Sequence, residues 1–479
     1  MVRCEPPPRL VARLNFTTMR ILVIALSLAT VSASAQLARH AAPEVAEQLY
    51  LHERYLASDE LGGRLPGSEG GAEAATYIQN VFRQIGLAPL FDERFTQDVK
   101  IPDAAKVSPT TNLLILGKDS AKLTEAFWPS TLSSNGSAAA QTTWLQYGLP
   151  AEVAAAATKG RIAVLVRDVP KELAAKAGKA AGLSARIDAV RKAGALAVVV
   201  LAPANAMPRL DLLRRTRPVG IPVVEVHHVK WAKRLAKSAK KGKTLSISTD
   251  VVAQQITAPN VGGWIDRGKP RTILIGAHYD HVGLGAWGSR KPEQAGQVHN
   301  GADDNASGTS ALMVLAQILS KVPSLGDANL AFVAFTGEES GLIGSKHLVE
   351  TLPPALGKVT TMLNLDMVGR LNRSDSLRVY GTHTGLEFRQ MLETVPADGF
   401  YWDLRDEVFG RSDHAPFIQK GIPSVFFFTG LHEDYHAPSD DLDKIDLEGM
   451  AAVTEAAAAF IQLLVHNAPP TFNPDSLEK

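Results

Sequence analysis

At 479 residues the chain exceeds what one hydrophobic core ordinarily supports, so two domains, or one large domain with an insertion, are expected. Hydrophobic residues make up 45% and charged residues 21%, which is ordinary globular usage and leaves room for a sizeable core. Lys and Arg number 50 against 49 Asp and Glu, a formal charge of +1 that argues against nucleic acid or a charged membrane surface as a partner.

In chain order, residues 19 to 35, MRILVIALSLATVSASA, have the form of a secretory signal: Arg20, an apolar run from Ile21 to Leu28, and a small-residue cleavage pattern at Ala33-Ser34-Ala35. Met19 is then the expected initiator and residues 1 to 18 an upstream mis-start. The apolar run is short for a bilayer span, and no other stretch reads as a membrane helix. The mature chain is expected to be exported, periplasmic or extracellular, without membrane insertion. The only cysteine, Cys4, precedes the cleavage site, so the mature chain is expected to have no disulfide.

Two helical patterns follow, one with Leu56 and Leu61 and one with Ala74, Ile78, Phe82 and Ile85, separated by the turn-rich GGRLPGSEGG and stopped at Gly86. TNLLILG at 111 to 117 reads as a buried strand. From 120 to 250 a separate α/β unit is expected, with strands at 160–169, 196–203 and 221–227, a helix at 183–195, and Ala/Lys-rich solvated faces. Catalytic residue types do not cluster in it.

Beyond it, strands RTILIG, ANLAFVAFTG, VTTMLNLDMV, SLRVYG and PSVFFFTG alternate with helices, notably SGTSALMVLAQILSKV and a C-terminal one from Leu447 to Val465. This pattern predicts an α/β three-layer sandwich with a mixed, largely parallel sheet. The acidic and histidine clusters fall just after strands, at the carboxyl edge where open α/β folds place their sites.

Five short stretches carry the chemistry: HYDH at 278–281, GADDNASG at 301–308, FTGEESG at 335–341, NLDMVG at 364–369 and DYHAPSDD at 434–441. Each alone is weak. Together they offer imidazole nitrogen and carboxylate oxygen, a set suited to zinc. The adjacent Glu338 and Glu339 are costly behind a buried strand unless a cation compensates them. One can bind that cation while the other accepts a proton.

These five motifs, in this order, with 34 positions from Asp304 to Glu338 and 27 from Glu339 to Asp366, resemble the secreted aminopeptidases with two co-catalytic zinc ions. The resemblance covers 45–118 and 255–466, takes in ASDELGGRLPGS near the N-terminus, and makes 120–250 similar to the protease-associated domain that many members insert there; 467–479 is left as a tail. It implies the zinc exopeptidase fold and two zinc ions per chain: one on His278 and Asp366, the other on Glu339 and His436, with Asp304 bridging. It also implies a cis peptide after Asp304, Glu338 as general base, and Asp280 as the carboxylate that orients His278 through its non-ligating nitrogen. Tyr435 and Arg411, the latter within GRSDHAPF, look like substrate-binding elements.

His281, His299, His383 and His432 are expected to be loop residues, and a helix-start role for His414 is as well supported as a functional one. Asp303 is expected to organise its turn, and Asp440 or Asp441 to support His436. The aromatics at 399–409 and Trp287 either form an apolar pocket or pack beneath their loops. Peptides are the expected substrates; the oligomeric state is left open. Removal of N-terminal residues is the leading reading. A carboxypeptidase or dipeptidase on the same core, a one-zinc glutaminyl cyclase and a non-catalytic binding protein are the alternatives.

Overall fold

Strands buried on both faces read as nearly continuous apolar runs, and the two faces separate once side-chain direction alternates along each strand. In the computed structural model, which describes residues 43–203, 218–322, 326–397, 399–408 and 410–477, such strands build two compact units. One runs over Met1–Val99 and Pro259–Lys479, the other over Lys100–Ala258. The expected signal at 19–35 and Cys4 lie outside the described residues.

A nine-stranded mixed sheet is built mainly from the larger unit, with its second and third strands continuing into the residues of the smaller one. Its strands are β1 (Ala88–Pro89), β2 (Thr96–Val107), β3 (Val251–Ile265), β4 (Arg271–His278), β5 (Asn329–Phe335), β6 (Lys358–Leu365), β7 (Ser376–Tyr380), β8 (Tyr401–Leu404) and β9 (Ser424–Phe428). They lie in the order β1-β3-β5-β4-β6-β9-β7-β8, with β2 paired to β3. The centre, β5-β4-β6-β9, is parallel. Antiparallel pairs join β3 to β5 and β7 to β9.

Alternation divides the core in two. Ile273 and Ile275 of β4, Leu330 and Phe332 of β5, Leu363 and Leu365 of β6, and Val425 and Phe427 of β9 point to one face. There they meet α1 (43–56), α2 (Glu69–Ile85), α3 (Gly308–Ser320), α5 (Phe388–Thr394) and α7 (Leu447–His466). Leu274, Ala331, Val333, Phe335 and Met362 point to the other, against Leu348 of α4 (Ile343–Glu350) and Phe417 of α6 (Ala415–Gln419). The result is the three-layer α/β arrangement expected from the strand–helix alternation.

Local signals account for the helix limits. Ser68 caps α2 by accepting from Gly71 N–H at 3.1 Å, and Gly86 ends it at φ 86°, a conformation open to glycine without strain. Helix α3 is buried on nearly every side, so it is apolar all round rather than striped. Helix α7 corrects the expectation that no stretch beyond the signal reads as a membrane helix, because it is long and apolar enough by length and composition. Its apolarity is explained by packing: Met450, Val453, Ala457, Phe460, Ile461 and Leu464 are buried in the core.

The smaller unit has an eight-stranded sheet of its own. Gly136–Trp144, Ile162–Val166, Ala197–Leu201 and Val223–Val226 run parallel, with helices Leu183–Lys192 and Val229–Ala239. Leu113–Leu116 pairs here, with Thr244–Thr249. Its apolar sequence announces a buried strand but carries nothing about its partner.

The turn between α1 and α2 has a structural task. Arg64 is fully buried, and its guanidinium donates to the carbonyls of Tyr279 (2.8 Å), Asn300 (2.6 Å), Gly301 (3.0 Å) and Leu56. It thereby ties the N-terminal segment to the loop after β4 and to the loop before α3. Truncation would leave buried carbonyls without donors, so Arg64→Ala is expected to cost about 3–5 kcal/mol. Urea unfolding measures this, and an unchanged midpoint would contradict the assignment.

Candidate metal centre

The parallel strands deliver their carboxyl ends side by side, and the chemistry-bearing residues follow directly. His278 ends β4, Glu338 and Glu339 follow β5, and Asp366 follows β6. Asp304 lies in the turn that opens α3, with a cis bond to Asn305, and His436 comes from the loop after β9.

These side chains form two groups of donor atoms, one of His278, Asp304 and Asp366, the other of His281, Asp304, Glu339 and His436. Asp304 belongs to both. Its Oδ1 is 3.4 Å from His278 Nε2, and its Oδ2 is 3.0 Å from His436 Nε2. His278 Nε2 is also 3.4 Å from Asp366 Oδ1, and His436 Nε2 is 3.0 Å from Glu339 Oε1. Zinc bonds of about 2.1 Å opened to the tetrahedral angle separate neighbouring donors by roughly 3.4 Å, which the first group matches. Asp304 Oδ2, Asp366 Oδ1 and His436 Nε2 are buried with no hydrogen bond of acceptable geometry, as expected of atoms that face a cation. The residues present therefore fit two metal ions sharing Asp304.

Each donor is held from behind. His278 Nδ1 is 3.1 Å from the main-chain carbonyl of Asp280 and 3.9 Å from its carboxylate. This corrects the expectation for Asp280: its backbone, two residues on, fixes the imidazole tautomer. Its Oδ1 instead accepts the Glu338 N–H at 3.1 Å, so the carboxylate positions the glutamate pair. Asp366 Oδ2 accepts from Ser412 Oγ at 2.6 Å, and Ser412 Oγ accepts from Asn364 at 2.7 Å. Asn305 Oδ1 accepts the N–H groups of Gly308 and Met367, fastening the α3 turn to the residue after Asp366.

The loop after β9 is held by two sets of contacts. His436, at φ 55°, donates from Nδ1 to the Gly288 carbonyl at 2.8 Å, and its own carbonyl accepts the Arg290 N–H at 2.9 Å. The expected support from Asp440 goes elsewhere. Asp440 Oδ2 accepts the N–H groups of Asp303 and Asp304, while Arg370 donates to Oδ1 at 3.0 Å. Asp303 accepts from Ser307 Oγ within its turn at 3.2 Å and from the distant Gly369 N–H at 2.7 Å. His432, expected in a loop, is buried against Asp303 Oδ2 at 3.1 Å.

The substrate-facing expectations divide. Tyr435 is half-buried, its ring 4.0 Å from that of His436 and beneath the Arg290 guanidinium. Arg411 is exposed on the turn that leads to Ser412. His414 is buried and stacked on Phe426. Phe400 and Trp402 pack edge to face on the core, and Tyr401 is 76% exposed.

Electrostatics follow from burying so many carboxylates together. Burial, with Glu339, Asp413 and Asp366 nearby, raises the Glu338 carboxyl well above its usual range against the pull of His278. Burial lifts Asp280 to about 7 and Asp413 to about 6. Burial works against a charged His436, yet Glu339 and Asp304 push it up to about 11. Burial would raise Glu339, but His436 and His281 hold it well below the carboxylate range. A cation binds such a site by displacing protons, since a ligating imidazole must be neutral. His436, protonated at neutral pH, must lose its proton, so zinc affinity of chelator-stripped protein should rise with pH below about 11. Calorimetry in buffers of different ionisation enthalpy measures the released protons; binding without release would contradict this geometry.

Comparison with known proteins agrees with the site. Residues 260–461 match the profile of peptidase family M28. An aminopeptidase of Bacillus subtilis, YwaD, is 29% identical over 286 residues, covering 56% of this chain and 57% of that protein. The chain spans 57%, 34% and 52% of the length of the first three curated relatives it matches. Two solved structures share the fold: an aminopeptidase from Aneurinibacillus sp. strain AM-1 (TM-score 0.55, 23% identity, covering 89% of this chain and 95% of that one) and a zinc aminopeptidase from Bacillus subtilis (TM-score 0.56, 22% identity, 90% and 98%). The segment that carries all the donor atoms, residues 260–461, is the part of the chain that matches the profile of peptidase family M28.

Proposed function

We propose that the protein is an exported metallo-aminopeptidase that hydrolyses N-terminal residues from peptides, with two zinc ions held by His278, Asp304, Asp366, Glu339 and His436. The observation that carries this reading is Asp304, whose two oxygens face two different donor groups. When bound, the metal ions would supply Lewis acidity at the scissile carbonyl and lower the pKa of the attacking water.

The chain's own groups supply the rest. Glu339 turns its carboxylate into the donor group, with a side chain 6% exposed, while its neighbour Glu338 belongs to neither donor group. Glu338, with its raised proton affinity, takes the proton from water and hands it to the leaving amine. Asp280 holds the backbone of Glu338 in place for this. Burial and the surrounding carboxylates keep the Tyr435 phenol protonated, so it can donate to the carbonyl oxygen as negative charge builds there. Arg411 is the proposed contact for the peptide further along.

Charge favours the amino end. Once bound metal ions offset the burial and mutual repulsion that raise them, the carboxyl groups of Glu338, Asp280 and Asp413 would add negative charge beyond the ligands, which suits an α-ammonium group. Arg64 and Arg370, buried nearby, are already engaged by main-chain carbonyls and by Asp440, which argues against capture of a terminal carboxylate. The apolar group of Met367, Phe426 and Phe428, with Tyr435 packed on it, suits an apolar N-terminal side chain. The unit Lys100–Ala258 is proposed to be an inserted protease-associated domain, and residues 19–35 the export signal.

Glu338→Gln should keep two zinc ions, measured by elemental analysis, while peptide hydrolysis falls by several orders of magnitude. A nearly active variant would remove Glu338 as base. N-acetylation should abolish cleavage of a peptide whose free form is hydrolysed; equal rates on both would exclude an aminopeptidase.

A further inference from the structure

His281 is adjacent to Asp280 and resembles a loop residue in sequence, but its imidazole is fully buried. Its Nδ1 lies 2.9 Å from Glu339 Oε1 and 3.9 Å from Asp304 Oδ2, and its ring meets that of His436 edge to face with centroids 5.4 Å apart. Neither ring nitrogen makes a hydrogen bond of acceptable geometry. A buried imidazole is costly unless a carboxylate or a cation compensates it, and here the Glu339 carboxylate that helps compensate it is itself one of the donor group.

The backbone makes room for this ring. Gly301 adopts φ 55°, and a Cβ there would lie 2.5 Å and 2.6 Å from His281 Cδ2 and Cγ. The loop that leads to Asp304 therefore tolerates His281 because it has no side chain at this point.

We infer that His281 Nδ1 is a protein ligand of the ion held by Glu339 and His436. This rests on the two-metal reading above and makes the two positions unequal. One has four protein donors (His281, Asp304, Glu339 and His436), the other three (His278, Asp304 and Asp366). Zinc sites with four protein ligands are closed and structural, whereas those with three keep a place for water or substrate. An ion on the four donors would be held more tightly, and one on the three donors would exchange more readily.

The test is zinc titration of chelator-stripped protein against a chromophoric chelator, for wild type and His281→Ala, with zinc-edge X-ray absorption to count imidazoles. Wild type should bind two zinc ions of unequal affinity with three imidazoles between them. His281→Ala should weaken the tighter ion by at least about tenfold and reduce the count to two. Unchanged affinities, or a weakened ion with an unchanged imidazole count, would overturn the inference and leave His281 at most a neighbour of Glu339. Should His281→Ala fail to fold, the wild-type count decides alone, and two imidazoles overturn the proposal. Fewer than two zinc ions on wild type would instead defeat the two-metal reading itself.

Discussion

The site depends on one carboxylate with two obligations. Asp304 presents Oδ1 to His278 and Oδ2 to His436 in one orientation of its side chain. Its neighbours therefore have to be fixed more firmly than ordinary turn residues. Asp440 takes the N–H groups of Asp303 and Asp304, Asn305 reaches across to the backbone after β6, and helix α3 begins immediately afterwards, buried in the core. The charge of Arg370 accompanies Asp440, so the support is itself compensated.

The fold serves this requirement by bringing strand ends together. In β5-β4-β6-β9 the parallel register puts the ends of four strands in one row, and three ligands follow from chain continuity alone. Segments distant in sequence then close the site. Arg64 binds the carbonyls behind His278 and before Asp304, and the Gly288–Arg290 stretch clasps His436 from both sides of its peptide. A carboxylate-rich pocket built this way is stable only with positive charge inside it, which is why His436 is driven to about 11 when imidazole and carboxylate face each other alone.

Much of this was legible in the sequence because its determinants are local. The strands from β4 to β9 that lead into the motifs are apolar runs bounded by turn residues, and His278, Asp304, Glu339, Asp366 and His436 stand just beyond strand ends or helix starts, where a ligand-rich residue type is conspicuous. What remained hidden depends on the main chain or on partners far away. That Gly288 and Asp280 act through carbonyl oxygens has no residue signature. Arg64 reads as an ordinary turn arginine, since four carbonyl acceptors leave no mark on composition. His281 and His278 are the same residue type three apart, and only the packing around Gly301 brings His281 to Glu339. Leu113–Leu116 could be recognised as a strand but not assigned to a sheet, because pairing is a long-range choice.

The central claim is that Asp304 lies between two metal ions. A crystal of the zinc-loaded protein, measured on both sides of the zinc absorption edge, tests it directly. Two anomalous peaks are predicted, one beside Asp304 Oδ1 and His278, the other beside Asp304 Oδ2 and His436. A single peak, or two peaks of which either lies away from Asp304, would contradict the account.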